Sequence, residues 1–460
     1  MIEHYDAIVI GAGQSGGPLS TAFARAGHKT AIIERKYVGG TCINEGCTPT
    51  KTMVASARVA YLARRAEDYG VQTGTVTVDM VKVRQRKRDM VSSFRASSQR
   101  QIEEVKGVDL IFGQATFTSP KTVEVRLNAG GTSTLHADTI VINTGARPKR
   151  PTLEGLDGVP AFDSTTIMDV DKVPEHLLVI GGSYVGLEFA QMFRRFGSKV
   201  TVINRSARVL GHEDPDVAQG VTDILREDGV EVLLDTDPVL VRWDGKQEEL
   251  EVSVLGTDRT ITGSHLLLAV GRDPNTRELN LEATGVQTNN RGFIPVNERL
   301  ETNMPGIYAV GDVNGGPAFT HISYDDFRIL RTNLIEGGDA TTTGRVLPYV
   351  VFTDPQLGRV GITEEEARTQ NLPIKVAKMP MSYISRADEV DESRGFMKAI
   401  IDPETKQILG AAVLGLEGGE LMAMLEIAIL SKTPYTVLKN AIFAHPTLSE
   451  GLNTLFSDLE

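Results

Sequence analysis

Near its start, the chain has the apolar pattern of a strand, a helix and a second strand. The apolar run Tyr5–Ile10 predicts a buried strand, and helical periodicity over Gly17–Ala26 is closed by Gly27. A second apolar run, Thr30–Ile33, predicts another strand, which ends in the acid Glu34. Two strands joined through a helix are typical of a parallel sheet with helices on its faces, so we expect an α/β fold.

The turn after the first strand has the glycine pattern of a dinucleotide fingerprint. Gly11, Gly13 and Gly16 stand at the spacing that such turns require. Gly11 would make the tight bend, Gly13 would let the backbone approach a pyrophosphate, and Gly16 would let the helix pack on the strand. The helix N-terminus favours phosphate charge, and Glu34 would accept hydrogen bonds from ribose hydroxyls. We therefore predict a nucleotide site here.

The same unit returns in the middle of the chain. It consists of a strand, a fingerprint turn, a helix that stops at a glycine, and a second strand: His176–Ile180, Gly181–Gly186, a helix reaching Phe196 before Gly197, and Lys199–Ile203. Ser183 replaces the second fingerprint glycine and is small enough to allow close approach of a phosphate. We therefore predict a second nucleotide site.

The residue after the second strand differs between the two units. Asn204 occupies the position that Glu34 has in the first unit, and Arg205 and Arg208 follow it. A carboxylate at this position would repel a 2′-phosphate, whereas arginines would bind one. We predict NADPH at the second site. The alternative is that both arginines are solvated loop residues and that NADH is tolerated.

Composition and charge narrow the class of protein. With 460 residues, the chain is too long for one core, so about two to four domains are expected. The formal net charge of -12 argues against a general nucleic-acid binder, which needs a basic face. No apolar run is long enough for a membrane span, and the first residues lack the pattern of a secretory signal. We expect a cytoplasmic enzyme.

The chain has only two cysteines, Cys42 and Cys47, and both follow the first nucleotide unit closely. A structural disulfide is unusual in a reducing compartment, and a zinc site would need two further ligands that do not follow at metal spacing. The alternative is a pair of buried small side chains. Between two nucleotide sites, the pair instead predicts a redox relay. A tightly held flavin and a diffusible nicotinamide would deliver electrons that leave through the cysteines.

A regular helix would hold these two cysteines too far apart to form a disulfide. Gly46 lies between them and Pro49 follows shortly, so we expect the helix to be interrupted and a new one to start there. A thiolate at a helix N-terminus is stabilised by unpaired N–H groups and by the helix dipole.

Six segments, in order, resemble the FAD-dependent pyridine nucleotide–disulfide oxidoreductases. This family includes glutathione reductase, dihydrolipoamide dehydrogenase, mercuric reductase and bacterial flavoproteins that respond to reactive chlorine species. The resemblance covers essentially the whole chain. Its segments are Gly39–Lys51, Thr144–Pro148, Ala269–Thr276, Ile307–Asp312, Phe352–Pro355 and His445–Glu450. Gly315–Ser323 and Tyr324–Arg328 are most similar to the mercuric-reductase-like and reactive-chlorine-responsive branch.

The resemblance implies two Rossmann-like dinucleotide-binding domains, for FAD and NAD(P), plus a C-terminal α+β dimerisation domain. The expected boundaries are 1–150 and 271–343 for the two parts of the FAD-binding domain, 151–270 for the NAD(P)H-binding domain and 344–460 for the dimerisation domain. A homodimer is therefore expected.

The resemblance also implies catalytic roles. Cys47 would face the flavin, and Cys42 would be the interchange thiol that attacks the outside substrate. His445 would move the proton, because imidazole titrates nearest neutral pH, and Glu450 would orient it. In this family the segment that corresponds to His445–Glu450 comes from the other chain of a dimer, so the partner subunit's His445 would complete the site. The family also suggests a cis His445–Pro446 bond.

Cofactor contacts follow from the same resemblance. Lys51 and Glu188 would pair beside the flavin. The FAD contacts would be Gly11, Gly13, Gly16, Glu34, Thr41, Lys51, Ala115, Thr144, Gly145, Arg272, Gly311 and Asp312. The NADPH contacts would be Gly181, Ser183, Tyr184, Gly186, Glu188, Asn204, Arg205, Arg208 and Gly271. No resident metal is expected.

A long helix is predicted over Asp79–Val105, with a basic run at Arg84–Arg88. This run could attract an acidic substrate, although such runs are more often a solvated face.

We expect an NADPH-preferring, FAD-dependent disulfide reductase that acts on a small disulfide or another oxidised, thiol-reactive substrate. One alternative is dihydrolipoamide dehydrogenase with NAD, which the missing acid at Asn204 disfavours. Another is a mercuric, other metal-ion or quinone reductase, although Phe456–Glu460 lacks the C-terminal cysteines of common mercuric reductases. A flavin-bound structural subunit is the last alternative, and it leaves the cysteines and the His445–Glu450 box unexplained.

Overall fold

The computed structural model describes residues 2–247, 249–255 and 260–459. The strands are β1 Ile2–His4, β2 Ala7–Ile10, β3 Thr30–Glu34, β4 Val108–Ser119, β5 Thr122–Leu127, β6 Thr132–His136, β7 Thr139–Ile142, β8 Ala146–Pro148, β9 Ala161–Phe162, β10 His176–Ile180, β11 Lys199–Ile203, β12 Glu231–Leu233, β13 Pro238–Asp244, β14 Glu249–Val254, β15 Thr260–Gly263, β16 His265–Leu268, β17 Arg272–Pro274, β18 Ile307–Ala309, β19 Pro348–Val351, β20 Gln356–Gly361, β21 Lys375–Pro380, β22 Phe396–Ile401 and β23 Ile408–Gly415.

The α-helices are α1 Gly16–Arg25, α2 Gly40–Asn44, α3 Cys47–Arg64, α4 Met80–Glu103, α5 Tyr184–Phe196, α6 Pro215–Glu227, α7 Thr320–Leu334, α8 Glu364–Thr369, α9 Ser385–Glu389, α10 Gly418–Leu430, α11 Tyr435–Asn440 and α12 Gly451–Leu455. Short 3-10 turns occur at Ala66–Tyr69, Leu156–Gly158, Thr166–Asp169, Arg277–Leu279, Leu281–Ala283, Gly311–Asn314 and Met381–Tyr383.

One compact unit consists of three stretches of chain, Met1–Met53, Lys82–Lys149 and Gly271–Arg345. Its main sheet has the strand order β1-β6-β5-β4-β3-β2-β7-β18. From β4 to β18 the neighbouring strands are parallel, whereas β4, β5 and β6 form an antiparallel extension. All residues of β2 and β3 are buried, as expected for parallel strands covered on both faces. Because β18 pairs with β7, the last stretch returns to the sheet that the first stretch begins.

The second unit consists of Val54–Val81, Arg150–Val270 and Val346–Glu460. It contains a parallel sheet of order β12-β11-β10-β16-β9 and an antiparallel sheet of order β19-β20-β23-β22-β21. A three-stranded antiparallel sheet, β13-β14-β15, accompanies the parallel one. Each of the two larger sheets has its own cluster of buried apolar residues, so this unit has two cores.

The bounds of most predicted elements agree with the structure. The strands of the second nucleotide unit have the predicted bounds, and the predicted Asp79–Val105 helix spans Met80–Glu103. The first strand begins at Ala7 rather than Tyr5, whose backbone N–H bonds to His136. The stretch Val54–Val81 clusters with the second unit, and the expected four-part domain division stays a prediction.

No helix in the described part of the chain is long and apolar enough to cross a membrane.

Candidate active site

The two cysteines lie on separate helices, with the interruption that the sequence predicts. Helix α2 ends at Asn44, and α3 begins at Cys47 itself. A Cβ atom added to Gly46 would lie 3.0 Å from the carbonyl oxygen of Thr41, so the connection favours glycine. The break folds Cys42 back towards Cys47 and leaves the Cys47 sulfur at the positive end of an 18-residue helix.

The two thiols interact directly. A hydrogen bond with Cys47, burial and the charge of Cys47 all raise the pKa of the Cys42 thiol, and Thr320 and Lys51 oppose that rise. The Cys47 sulfur also lies 3.4 Å from the Thr320 hydroxyl, at the start of α7. Cys42 therefore keeps its proton to a higher pH than an ordinary cysteine, and it can donate that proton to a Cys47 thiolate. Such a pair is suited to two-electron thiol–disulfide exchange.

Two of the fingerprint glycines of the first unit, Gly11 and Gly16, are sterically required. Gly11 has a φ of +106°, and a Cβ there would lie 2.3 Å from the Asn143 carbonyl oxygen. A Cβ on Gly16 would lie 2.1 Å from the Gly11 carbonyl oxygen, and one on Gly40 would lie 2.7 Å from the Gly13 Cα. The backbone segments at this turn thus approach one another as closely as a dinucleotide fingerprint demands.

Glu34 ends β3 beside this turn. Its carboxylate accepts hydrogen bonds from the backbone N–H groups of Ala12 at 3.0 Å, Lys36 at 2.8 Å and Tyr37 at 3.3 Å. A carboxylate has about four lone-pair positions, so these bonds fix Glu34 and leave capacity for a ribose hydroxyl.

Three of the predicted FAD contacts, Thr41, Arg272 and Asp312, form a polar cluster that fits a large polar ligand, and a fourth, Thr144, has a buried hydroxyl. The Thr144 hydroxyl and the Arg272 Nε are buried and have no hydrogen-bond partner in the described structure. Arg272 Nη2 lies 3.5 Å from the Thr41 hydroxyl, and Arg272 Nε lies 3.6 Å from Asp312 Oδ2. Burial raises the pKa of Asp312, and Arg272 opposes that rise. Buried polar atoms without partners are costly, so these donors suit ligand oxygens and FAD fits the cluster.

Three further predicted FAD contacts offer mainly backbone. Gly145 and Gly311 have φ values of +66° and +68°, and the Gly311 N–H donates to Asp326 at 2.9 Å. Ala115 lies in the middle of β4, where its methyl group belongs to the apolar core. Only its backbone could contact a nucleotide, and its role stays a prediction.

The turn of the second nucleotide unit repeats the geometry of the first. Gly181 has a φ of +114°, and a Cβ on Gly186 would lie 2.1 Å from the Gly181 carbonyl oxygen. Ser183 is exposed just before α5, which begins at Tyr184. This turn therefore has the close backbone packing and the helix N-terminus that a pyrophosphate requires, and the residues fit a nicotinamide dinucleotide.

Asn204 occupies the same structural position in the second nucleotide unit as Glu34 does in the first. Its Oδ1 accepts from the Gly182 N–H at 3.2 Å, as Glu34 does from Ala12. Its amide nitrogen donates to the carbonyl oxygens of Ser206 at 2.9 Å and Arg208 at 3.0 Å. Asn204 therefore organises the loop of the two arginines, a role that the absence of an acid did not indicate.

The two predicted phosphate-binding arginines have different surroundings. Arg205 is exposed. Arg208 is partly buried, and its Nη2 donates to the Glu365 carboxylate at 2.7 Å. Glu365 could not be predicted from the sequence, because an acid in the first turn of a short helix has no signal that points to a distant arginine.

Glu188 and Gly271 were also expected at the nicotinamide site. Glu188 is buried in α5, and its carboxylate accepts from the Phe352 N–H at 2.9 Å. Lys51 belongs to the other unit, so its pairing with Glu188 stays a prediction. Gly271, with a φ of +114°, begins the last stretch of the unit that starts with Met1–Met53, and its contact with NADPH also stays a prediction.

His445 and Glu450 form the predicted acid–base pair. His445 Nδ1 lies 3.1 Å and 3.0 Å from the two oxygens of the Glu450 carboxylate. The imidazole is 70% exposed and the carboxylate is 23% exposed. Because the carboxylate holds a proton on Nδ1, Nε2 is the nitrogen that can exchange protons with a substrate. The predicted cis His445–Pro446 bond is confirmed.

Two sequence comparisons agree with this geometry. The profile described as pyridine nucleotide-disulphide oxidoreductase matches residues 5–326, and the profile of that family's dimerisation domain matches residues 347–456. The chain belongs to this family. The resemblance, the α/β fold with Rossmann-like domains and the C-terminal dimerisation domain are thereby confirmed. Its dimerisation domain supports a homodimer.

Individual members of the family align with almost the whole of this chain. The probable pyridine nucleotide-disulfide oxidoreductase RclA of Escherichia coli is 37% identical over 460 residues, which are 99% of each chain. A mercuric reductase of Shewanella putrefaciens is 36% identical over 448 residues, 96% of this chain and 79% of that reductase. A solved Cu(II) complex of the HOCl-induced flavoprotein disulfide reductase RclA from Escherichia coli has a TM-score of 0.92 at 36% identity, with all of both chains covered.

This family is FAD-dependent and uses pyridine nucleotides, so the chain is a flavin-dependent oxidoreductase of the disulfide reductase type. The expected branch, mercuric-reductase-like and reactive-chlorine-responsive, is confirmed by the same relatives. In the described residues, no group of three or more His, Cys, Asp and Glu side chains could hold a metal ion.

The basic run on α4 is only partly a solvated face. Lys87 is buried, and Arg86 donates to the Thr52 carbonyl oxygen on α3 at 2.6 Å. At least this arginine therefore supports the helix that begins with Cys47, and substrate attraction by the run stays a prediction.

Proposed function

We propose that the protein is an NADPH-preferring disulfide reductase in which Cys42 and Cys47 reduce a small disulfide or another oxidised, thiol-reactive substrate. The observation that carries this proposal is the direct thiol–thiol interaction across the break between α2 and α3. Two sulfurs that already interact can close and reopen a disulfide with little movement of the backbone.

The residues of the unit formed by Met1–Met53, Lys82–Lys149 and Gly271–Arg345 would hold the flavin. Bound FAD supplies hydride exchange with a nicotinamide and delivery of an electron pair to sulfur, which no side chain can provide. The Arg272–Asp312 cluster, with the Thr41 and Thr144 hydroxyls, would bind its polar groups. Glu34 would bind its ribose, and the glycine turn at Gly11 would admit its pyrophosphate.

Reduction of the cysteine pair balances with one NADPH and one proton. NADPH gives up two electrons and a hydride hydrogen, a proton comes from solvent, and the Cys42–Cys47 disulfide becomes two thiols. Cys42 then attacks a substrate disulfide, Cys47 resolves the mixed disulfide, and two substrate thiols leave. The partner subunit's His445 would return a proton to the leaving sulfur, with Glu450 as its orienting group.

The preference for NADPH is supported by three residues of one loop. Asn204 removes the acid that would repel a 2′-phosphate, and its amide holds the loop that carries Arg205 and Arg208. An exposed guanidinium such as Arg205 can form charge-assisted hydrogen bonds with phosphate oxygens.

An anaerobic titration of the FAD-loaded enzyme with NADPH, and separately with NADH, tests this function. We expect two new thiols per subunit and a long-wavelength absorption band, with NADPH the more effective donor. A constant thiol count with bleaching of the flavin would refute the cysteine relay. A strong preference for NADH would instead support the dihydrolipoamide dehydrogenase alternative.

A metal-ion reductase is the second candidate, because solved relatives of this chain include Cu(II) complexes and its relatives include mercuric reductases. Thiolates are ligands for soft metal ions such as Cu(I), and Cys42 and Cys47 provide two of them. NADPH oxidation would be followed with Cu(II) or Hg(II) as the acceptor, and with a small disulfide in parallel. Turnover with the metal alone, lost in Cys42→Ser, would favour this candidate. Turnover with the disulfide alone would exclude it.

A further inference from the structure

The arginine loop, residues 204–214, is fixed at both ends. At its start, the buried Asn204 side chain bonds to Gly182 and to carbonyl oxygens within the loop. In its middle, the Leu210 N–H bonds to the Gly182 carbonyl oxygen at 2.9 Å. At its end are Glu213 and Asp214, both only 1% exposed. The position of Arg208 is therefore set by the loop backbone as well as by its own side chain.

Glu213 and Asp214 are held by a buried charge cluster. The Glu213 carboxylate accepts from Arg359 Nε at 3.0 Å and also from the Tyr349 hydroxyl. Asp214 lies 3.2 Å from the Lys398 ammonium and 3.4 Å from Arg359 Nη2. Both cations are almost fully buried, so their charges need these carboxylates. The end of the loop is thereby fastened to β20 and β22 of the antiparallel sheet.

The same cluster fixes the start of helix α8. Asp214 accepts from the backbone N–H groups of Glu364 at 3.2 Å and Glu365 at 2.9 Å. Lys398 also contacts the Glu364 carboxylate at 2.7 Å. The backbone of Glu365 is therefore tied to the end of the arginine loop, and it cannot move away from Arg208 without disturbing a buried cluster.

Glu365 accepts a hydrogen bond from Arg208 Nη2, the donor group that faces α8. The distance from Arg208 Nη2 to Glu365 Oε2 is 2.7 Å, and the same nitrogen lies 3.4 Å from the Gly211 carbonyl oxygen. A phosphate that approaches Arg208 must share the guanidinium with this carboxylate or displace it, and two anions at one guanidinium repel each other. Arg205 is exposed and free of this competition from α8.

We propose that Glu365 is a specificity-determining residue that weakens NADPH binding by competing with the 2′-phosphate for Arg208. This inference rests on the proposed function, because it assumes that the arginine loop receives that phosphate. Glu365 would thus keep the preference for NADPH over NADH moderate, whereas Arg205 would supply most of it.

The test measures binding of adenosine 2′,5′-bisphosphate and of adenosine 5′-monophosphate to the FAD-loaded homodimer by calorimetry. These probes differ only in the 2′-phosphate. In Glu365→Gln, which keeps the side-chain shape and the backbone N–H, the bisphosphate should bind about two- to fivefold more tightly, the range of an exposed ion pair. The monophosphate should bind as before. A gain of affinity for one probe alone is not a result of damaged structure.

Two further variants complete the test. Glu175→Gln removes an equal charge from an exposed position of the same unit and should leave both affinities unchanged. Adding Arg208→Gln to Glu365→Gln should abolish the gain. Unchanged or weaker binding of the bisphosphate by Glu365→Gln would overturn the inference, as would a gain that survives the loss of Arg208.

The same binding measurements test the proposed NADPH preference separately from this inference. If the wild-type protein binds both probes equally, the preference is wrong. A gain in Glu365→Gln under that result would still show that the acid masks Arg208. If neither protein responds to the 2′-phosphate, both proposals are wrong.

Discussion

Removal of Arg359 should destabilise the protein far more than removal of a surface arginine. Arg359 is almost fully buried in β20, and its guanidinium contacts Glu213 through Nε and Nη2 and Asp214 through Nη2. Arg359→Met keeps an unbranched side chain, but among the described contacts it leaves the Glu213 carboxylate with the Tyr349 hydroxyl alone. Loss of one partner of a buried ion pair costs about 3 to 5 kcal/mol, because the other charge stays buried.

The corresponding double variant gives the sharper expectation. Glu213→Leu alone should also cost several kcal/mol, since it removes the shorter carboxylate contact of Arg359 and leaves the 3.4 Å contact to Asp214. Arg359 Nη1 already has no hydrogen-bond partner in the described structure. In Arg359→Met/Glu213→Leu both charges are gone, and Asp214 keeps its bonds to Lys398 and to the start of α8. Apolar replacement of a buried pair is often nearly neutral, so the double variant should be more stable than either single variant.

Urea unfolding of the FAD-loaded homodimer, at fixed protein and FAD concentrations, would measure these differences. Arg328→Met is the matched control, because the Arg328 side chain is 63% exposed and lies 3.6 Å from Asp325. Arg328→Met should lower the free energy of unfolding by no more than about 1 kcal/mol. A cost for Arg359→Met as small as that of the control would refute the argument. So would a double variant whose loss equals the sum of the single losses.

Three other perturbations address the redox pair, the acid–base pair and the buried carboxylates. Thr320→Val removes the hydroxyl that lowers the pKa of the Cys42 thiol and should therefore raise that pKa, measured as slower alkylation of the reduced enzyme at neutral pH and a shifted pH profile. Glu450→Gln keeps an oxygen that can accept from His445 Nδ1 but removes the negative charge of the carboxylate, and it should slow disulfide turnover roughly tenfold or more. Anaerobic reduction by NADPH should stay unchanged, and equal loss in both assays would contradict this expectation. Burial raises the pKa of Asp214, but hydrogen bonds from backbone N–H groups and two nearby cations outweigh burial and lower this pKa below its usual value of 3.8. Ionised Asp214 therefore stabilises the fold above pH 3.8, and this stabilisation is lost as the pH falls through the folded-state pKa. Unfolding midpoints measured down to acid pH should show this loss.

Features with a local signal could be predicted from the sequence. The strands around Gly181 depend on continuous apolar runs, and the glycine spacing depends on close backbone approach within one turn. The interruption before Cys47 could be predicted because a single helix cannot bring two cysteines at that spacing together. In these cases the residues that cause the structure are neighbours in the chain.

Features made by distant residues could not be predicted in this way. Arg359 lies in a short strand without a visible partner, and its acid Glu213 is 146 positions away. In the sequence, Asn204 indicates only that a carboxylate is absent from this position. In the folded chain, its amide bonds to the loop that carries Arg205 and Arg208. Such contacts depend on which sheet packs beside which helix, and hydrophobic periodicity contains no information about that choice.

Coenzyme preference in this protein therefore cannot be assigned from the fingerprint unit alone. That unit supplies Asn204 and the two arginines, but the charge available at Arg208 depends on Glu365, which belongs to the segment matched by the dimerisation-domain profile. The buried cluster couples the two segments because Asp214 ends the loop and also bonds the backbone of α8. Under the proposed competition for Arg208, a change in α8 would alter selectivity for the 2′-phosphate while every residue of the nucleotide fingerprint stays the same.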